Sequence, residues 1–200
     1  ELLQNGPMGG PVYIFAHGAG ADMHSEFMTQ VAERLAEKGI RVIRFNFPYM
    51  IKRKEDGKRR PPDRAPKLLA AYDEVIRHLA CPVVIGGKSM GGRMASMLMA
   101  ENAERDECDR LPILGAACLG FPFHAVGKEP KDRLDHLKLL GEPLLIVQGS
   151  RDKMGSQEEV QGYVDDNMIN ASIAIQWLED GDHDLKPRKV SGYNHQAHIE

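Results

Sequence analysis

The 200-residue sequence has few of the features that mark secreted, membrane-spanning or metal-binding proteins. Its three cysteines, Cys81, Cys108 and Cys118, are an odd number without metal-type spacing, so we expect free thiols in a reducing compartment. No apolar run approaches the ~20 residues that span a bilayer. The chain starts without methionine, and no basic segment leads into an apolar one, so no signal peptide is visible. We therefore expect a cytoplasmic protein that needs no metal and no cofactor.

The sequence also lacks a strong excess of positive or negative charge. Lysine and arginine number 26 against 29 aspartates and glutamates, and the net charge of -3 gives no reason to expect nucleic acid or an anionic membrane as partner. Aromatic residues are sparse at 6%, while 42% hydrophobic and 28% charged residues are typical of globular proteins. A chain of this length can bury a core without disulfides. We predict a single domain over residues 1–200.

Short apolar runs alternate with longer helical patterns along the chain. The runs predict strands at Val12–Ala16, Arg41–Phe45, Val83–Gly86, Ile113–Leu119, Pro143–Gln148 and Ser172–Leu178. Helices are predicted at Ser25–Lys38, Ala65–Leu79, Ser89–Glu101, Lys131–Leu140 and Gln157–Val164, with a last one starting near Val190. Several strands are apolar on successive positions, as in parallel strands covered on both faces. The alternation predicts an α/β fold with a doubly wound, mostly parallel sheet.

One segment interrupts this alternation. Residues 51–66 contain seven lysines or arginines, three prolines and almost no apolar side chain, so we expect a basic surface loop. A solvated connection is one interpretation. The other is a basic flap beside a ligand site, because the segment follows a predicted strand end on the ligand side of the sheet. Such a flap would favour anionic substrates or bind a protein partner.

The most specific motif is Gly87-Lys88-Ser89-Met90-Gly91, a G-x-S-x-G sequence between a predicted strand and a predicted helix. That setting is typical of a nucleophile elbow, in which a sharp turn exposes the serine hydroxyl above the sheet. The positions two before and two after the serine must lack bulk, and glycine at 87 and 91 meets that need. Ser89 is therefore the candidate nucleophile.

A serine hydroxyl needs a base to take its proton and an acid to orient that base. Asp152 follows one predicted strand and His183 follows the last one, in the order nucleophile, acid, histidine. Taken alone, each residue also fits a non-catalytic role: Asp152 as a helix cap or surface residue, and His183 as a surface histidine. Because the three follow separate strands in the expected order, we predict a Ser89–Asp152–His183 triad.

Other histidines fit these roles less well. His17 precedes the nucleophile, the wrong end of the order for the base. His195 and His198 resemble a metal pair, but no third ligand with suitable spacing accompanies them.

The charge of a tetrahedral intermediate requires oriented N–H donors. The backbone N–H of Met90, at the start of a helix, is one candidate. The second is the N–H of Ala19 in the segment His17-Gly18-Ala19-Gly20, which follows the first predicted strand. A plain glycine turn is the alternative for that segment, and the elbow favours the oxyanion role.

These residues resemble the α/β-hydrolase superfamily, and within it small cap-less proteins such as the bacterial relatives of testis-expressed protein 30 and of the KAT8 regulatory NSL complex subunit 3. The likeness rests on the segments 15–20, 86–93, 148–152 and 181–183, with 59–63 and 120–124 in addition. It implies an active site at the C-terminal strand ends and an esterase-like serine mechanism. Two departures are expected: no antiparallel strand before Val12, and no lid, since only Phe121 to Pro130 separates a strand from the next helix.

The resemblance implies an open, shallow site. Its candidate walls are Phe47, Tyr49, Phe121, Phe123 and His124, although a loop histidine is more often solvated. The leading functional hypothesis is a serine hydrolase that acts on a small carboxylic ester or thioester. A non-catalytic interaction module that keeps the fold is the alternative, with the basic segment as its binding surface. A different reaction on the same fold, such as peptide or carbon–carbon bond cleavage, also stays open.

Overall fold

The structure, a computed structural model, describes residues 1–170 and 173–199, without the side chains of Lys131 and Asp132. Its centre is a seven-stranded sheet in the order β1-β3-β2-β4-β5-β6-β7. All neighbouring strands are parallel except β1, which pairs antiparallel with β3. The strands are β1 (Leu2–Asn5), β2 (Val12–Ala16), β3 (Arg41–Phe45), β4 (Val83–Lys88), β5 (Ile113–Leu119), β6 (Leu144–Gly149) and β7 (Ala174–Leu178).

Helices cover both faces of the sheet and divide the core in two. They are α1 (Glu26–Glu37), α2 (Pro48–Asp56), α3 (Ala65–Leu79), α4 (Met90–Ala103), α5 (Gln157–Asp165) and α6 (His195–Ile199). On one face, α1 packs Met28 and Val31 against Phe15 of β2. On the other, α3 and α4 pack the larger part of the core, and the Tyr72 hydroxyl lies 2.9 Å from the carbonyl oxygen of Ile14 and 2.7 Å from that of Gly86. The doubly wound, mostly parallel sheet is thereby confirmed.

The six predicted strands agree with the structure to within two residues, although Ser172 lies outside the described residues. The predicted helices at 25–38, 65–79, 89–101 and 157–164 correspond to α1, α3, α4 and α5. Helix α5 begins with a capping box between Ser156 and Glu159. The predicted helix Lys131–Leu140 is instead a 3-10 helix over Lys131–Lys138. The predicted last helix near Val190 begins at His195.

The absence of an antiparallel strand before Val12 was a wrong prediction. Strand β1 pairs Leu2 with Phe45 and Asn5 with Val42, at the edge of the sheet. Its four residues do not alternate between buried and exposed positions. Because an edge strand this short is specified by its partner more than by its own pattern, the sequence carried no periodic signal for it.

The prediction of a loop over residues 51–66 was also wrong in its first part. Helix α2 occupies Pro48–Asp56 and ends at Gly57, whose φ of 69° is left-handed. Proline at the first helical turn and glycine at the C-terminus are helix boundary signals. The buried residues Tyr49 and Met50 anchor the helix, and both lie before residue 51. From Ile51 to Asp56 every residue of the helix is exposed or only partly buried, so this part of the sequence shows no apolar face.

The strand order places one crevice at the centre of the sheet. From β2 the chain proceeds outward to β3 on one side and returns to β4 on the other, so the order reverses between β2 and β4. Ligands of open α/β sheets bind at such a point, beyond the carboxyl ends of the strands. Because Ala16 pairs in register with Gly87, the segments after β2 and β4 leave the sheet side by side. No helix among the described residues is long and apolar enough to cross a bilayer.

Candidate active site

Ser89 stands on a sharp turn between β4 and α4. Its φ of 52° and ψ of -115° are unusual for a residue with a side chain, and Met90 is the first residue of α4. The turn is tight because a Cβ on Gly87 or Gly91 would lie within 2.5 Å of the Ala16 carbonyl oxygen. Only glycine fits at these two positions. The turn has the geometry that the motif predicts.

The structure brings Ser89, His183 and Asp152 into one chain of hydrogen bonds. His183 Nε2 lies 2.9 Å from Ser89 Oγ, and His183 Nδ1 lies 2.7 Å from Asp152 Oδ2. The carboxylate accepts a hydrogen bond from Nδ1–H, so Nε2 carries the lone pair that faces the serine hydroxyl. This arrangement can deprotonate Ser89.

Asp152 is completely buried, and Gln148 at the end of β6 supports it. Gln148 Nε2 donates to Asp152 Oδ2 at 2.9 Å, and the N–H of Met154 donates to Asp152 Oδ1 at 2.8 Å. Gln148 also bonds the N–H and carbonyl oxygen of Phe121. These hydrogen bonds offset the free-energy cost of burying the carboxylate, and they fix its orientation. Sequence analysis missed Gln148, since a lone glutamine in a strand carries no catalytic signal.

The loop that carries His183 is tied to the loop that carries Asp152. The Arg151 guanidinium donates to the carbonyl oxygen of Asp180, and the N–H of Asp180 donates to Ser150 Oγ. The Asp180 carboxylate accepts hydrogen bonds from the side chain and the N–H of Arg188. Chiefly because of the Arg188 side chain, the pKa of Asp180 falls to about 2. These bonds hold the two loops together on the same side of the sheet.

The segment after β2 lies beside Ser89, as the oxyanion prediction requires. A Cβ on Gly18 would lie 3.7 Å from Ser89 Cβ. His17 is buried, and its Nε2 accepts a hydrogen bond from the Phe47 N–H at 3.0 Å. Its Nδ1–H therefore donates to the Gly18 carbonyl oxygen at 2.7 Å. Burial lowers the pKa of His17, in accord with this neutral form.

Ser89 opens into a cleft of about 730 Å³. Ala19 lines this cleft, while Met90 supplies one of the first N–H groups of α4, which have no acceptor within a helix. A groove of about 1080 Å³ lies elsewhere, between β1 and α3, and contains none of the triad residues. The smaller cleft is the candidate active site, because the reactive groups converge there. The remaining walls include Gly20, Phe27, Lys88, Asp184, Lys186 and His195.

The five side chains predicted as walls do not line this cleft. Each is at most 4% exposed. They instead support the two loops that frame the site. Phe47 and Tyr49 bond the segment after β2, the latter through its hydroxyl, which donates to the Ala19 carbonyl oxygen at 3.1 Å. The others pack at the turn after Asp152, where Phe121 bonds Gln148, Phe123 contacts Gly155 and the N–H of His124 donates to Met154.

No group of three or more potential metal ligands occurs in residues 1–170 and 173–199. His195 and His198 have separate partners, the backbone oxygens of Asp184 and Leu185. The described cysteines are free, with Cys118 buried and Cys108 exposed.

The sequence of the chain matches a known protein family. The sequence profile of the alpha/beta hydrolase domain family matches residues 10–200, nearly the whole chain. The protein belongs to this family.

Solved structures show the same fold at low sequence identity. Dienelactone hydrolase from Anabaena variabilis superposes with a TM-score of 0.71 and 18% identity, covering 99% of this chain and 87% of the other. Est1E from Butyrivibrio proteoclasticus, with bound ferulic acid, superposes with a TM-score of 0.68 and 15% identity, covering 92% of this chain and 87% of the other. The thioesterase domain from the curacin biosynthetic pathway superposes with a TM-score of 0.67 and 15% identity, covering 92% of this chain and 89% of the other.

Proposed function

We propose that the protein is a serine hydrolase that cleaves a small carboxylic ester or thioester through an acyl-enzyme. The observation that carries the proposal is the chain of hydrogen bonds from Asp152 through His183 to Ser89, with separations of 2.7 and 2.9 Å. It is supported by membership of the alpha/beta hydrolase domain family. The thioesterase domain among the solved structures of this fold agrees with the thioester part of the substrate class.

In the first half of the reaction, Ser89 Oγ attacks the carbonyl carbon while its proton passes to His183 Nε2. The carbonyl electron pair moves onto oxygen, and the N–H groups of Met90 and Ala19 stabilise that oxyanion. When the carbon–heteroatom bond breaks, the leaving alcohol or thiol takes the proton from His183. Asp152 stays ionised and balances the imidazolium.

In the second half, water replaces the leaving group. His183 accepts a proton from the water, whose oxygen attacks the acyl carbon and forms a second tetrahedral intermediate. When this intermediate collapses, the bond between the acyl carbon and Ser89 Oγ breaks, and His183 returns the proton to Oγ. The products are a carboxylic acid and the free enzyme. No cofactor is required in either half.

Finer features of this proposal rest on sequence. We propose that the protein is related to the group of testis-expressed protein 30 and the KAT8 regulatory NSL complex subunit 3. We also propose that it functions in the reducing cytoplasm, and the free cysteines support this location. A protein partner on the basic segment also stays a prediction. The exposed cations Lys52, Lys58 and Arg59 there supply the charge for it.

Covalent labelling tests the proposal directly. A fluorophosphonate probe should add to the purified, folded protein at one site, and peptide mass mapping should locate the adduct on Ser89. A panel of acyl esters and thioesters of graded length and charge then defines the substrate. Absence of labelling on well-folded protein would contradict the mechanism, and an adduct on another residue would contradict the assignment.

A further inference from the structure

The residue directly before Ser89 carries a charge that is almost fully enclosed. Lys88 ends β4 and is 8% exposed, although lysine is seldom buried without a partner. Its ammonium donates a hydrogen bond to the backbone carbonyl oxygen of His183 and lies 3.4 Å from Asp184 Oδ1. The nucleophile turn and the loop of the base are therefore in direct contact through Lys88.

The neighbouring residues leave a defined space for this contact. Gly120, just after β5, has a φ of 58°. A Cβ on it would lie 2.8 Å from Lys88 Nζ and 2.6 Å from the His183 carbonyl oxygen. On another side the ammonium lies 5.8 Å from the centre of the Phe27 ring. Glycine at position 120 is thus required for the Lys88–His183 contact as well as for the turn.

The electrostatic surroundings of Lys88 are those of a paired cation. Burial lowers the pKa of its ammonium, while the carboxylates of Asp184, Asp152 and Asp182 act in the opposite direction. A buried charge is stabilised only by partners with good geometry. The carbonyl of His183 is such a partner, because it can accept a hydrogen bond but cannot move away with a flexible side chain.

We propose that Lys88 is a positioning residue, whose ammonium fixes the backbone of His183 so that the imidazole stays within reach of Ser89. The proposal rests on the hydrolase function above. The hydrogen bond between the ammonium and the His183 carbonyl determines where the imidazole lies relative to Ser89.

Three variants test this role. Lys88→Met keeps the length of the side chain and removes the ammonium, Lys88→Arg keeps a cation with several N–H donors, and Lys128→Met removes a charge from an exposed loop as the control. We expect Lys88→Met to lower kcat and the rate of fluorophosphonate labelling by roughly 10- to 100-fold, with KM little changed, because a small displacement of a catalytic group has that effect. Lys88→Arg should recover most of the rate, and Lys128→Met should equal the wild type.

The effects on kcat and KM distinguish positioning by the ammonium from simple packing. If Lys88 only filled space, Lys88→Met, which keeps the length of the side chain, would retain the wild-type rate. If the ammonium fixes the His183 carbonyl, Lys88→Met should lower kcat with KM little changed, and Lys88→Arg should restore kcat.

A crystal structure of Lys88→Met supplies a readout that does not depend on activity. The His183 carbonyl should be displaced, and the Nε2–Oγ separation should exceed hydrogen-bond distance. Wild-type rates in Lys88→Met would overturn the proposal. So would equal losses of kcat in Lys88→Met and Lys88→Arg, since the cation would then not be what positions His183. Unlabelled wild-type protein would instead contradict the hydrolase function, and an unchanged His183 in the variant structure would contradict the role of Lys88 separately.

Discussion

Two serine–histidine pairs lie along α4, one at its N-terminus and one near its middle, and their hydrogen bonds are almost equal in length. Ser89, at the N-terminus, is 2.9 Å from His183 Nε2, and Ser96, two turns further on, is 2.8 Å from His136 Nε2. Their surroundings differ in every other respect. Ser89 borders the cleft and has Asp152 behind its histidine. Ser96 is completely buried, and the Arg93 carbonyl oxygen, 2.9 Å away, offers its proton a second acceptor.

The histidines differ in charge environment as well. Burial, and then the charge of Arg93, lowers the pKa of His136 to about 4. At neutral pH its imidazole is a weak base, and no hydrogen bond to a carboxylate is described for it. His183 has the Asp152 carboxylate to stabilise its protonated form. We therefore expect Ser89, and not Ser96, to act as a nucleophile.

The largest expected effect comes from removing one hydroxyl in each pair. Ser89→Ala should abolish labelling and lower kcat by about 10⁴- to 10⁶-fold, because it removes the attacking atom. Ser96→Ala should keep wild-type labelling, since its hydroxyl does not reach the cleft. Steady-state kinetics and labelling of both variants test this. A large loss of kcat in folded Ser96→Ala would show that the two pairs are not functionally distinct.

The second test makes the pairs more alike by removing the charge behind His183. Asp152→Asn should lower kcat by roughly 10³- to 10⁴-fold, because an amide neither stabilises the imidazolium nor selects the required tautomer. KM should change little. Kinetics on the best ester of the panel measure the effect, with Asp135→Asn on the exposed surface as control. A loss below tenfold would contradict the role of Asp152.

The third test addresses the backbone, since the residue two after Ser89 is Gly91, whereas Leu98 follows Ser96 at the same spacing. Gly91→Ala places a Cβ 2.4 Å from the Ala16 carbonyl oxygen and should lower the free energy of unfolding by about 3 kcal/mol or more. Gly162→Ala, in α5, meets no atom within 4 Å and should raise it by about 0.5–1 kcal/mol. Urea denaturation measures both. Equal stability of the two variants would contradict the tight packing of the turn.

The smallest effect concerns stability at acid pH. The pKa of His136 is about 4 in the folded state, below the ordinary histidine value of 6.5. Below pH 6.5 the unfolded state therefore binds more protons than the folded state. The stability that its neutral form contributes is present above pH 6.5 and is lost as pH falls toward about 4. The loss amounts to roughly 1–3 kcal/mol. Urea denaturation of wild type and His136→Leu between pH 7 and 4 should show a smaller decline in the variant; parallel declines would contradict the assignment.

The sequence predicted the parts of the fold that have their own periodic pattern. Strands β2 to β6 are short apolar runs, and α1, α3 and α4 have helical spacing, so local pattern and final structure agree. Strand β1 and helix α2 have no such pattern. The first depends on pairing with β3, and the second on two buried residues, Tyr49 and Met50, beside many charges.

The same distinction applies to the site. The order of Ser89, Asp152 and His183 after separate strands was visible in the sequence, and the structure places them within hydrogen-bond distance. Their catalytic roles stay a prediction. Supporting residues were not visible. Lys88 contacts His183 and Gln148 contacts Phe121, and both contacts join segments far apart in the chain. The aromatic residues near strand ends were predicted as walls of the cleft. This prediction failed because the sequence does not show whether a side chain points toward the cleft or toward the core.

The backbone conformation of Ser89 has a consequence for the balance between stability and reactivity. Its φ of 52° and ψ of -115° impose strain on a residue with a side chain, on the order of 1–3 kcal/mol. Ser89→Gly should relieve this strain and raise the midpoint of thermal unfolding, while it removes the reactive hydroxyl. A scan for thermostable variants of this protein would therefore select its inactive forms at position 89, and such a scan must be paired with an activity screen.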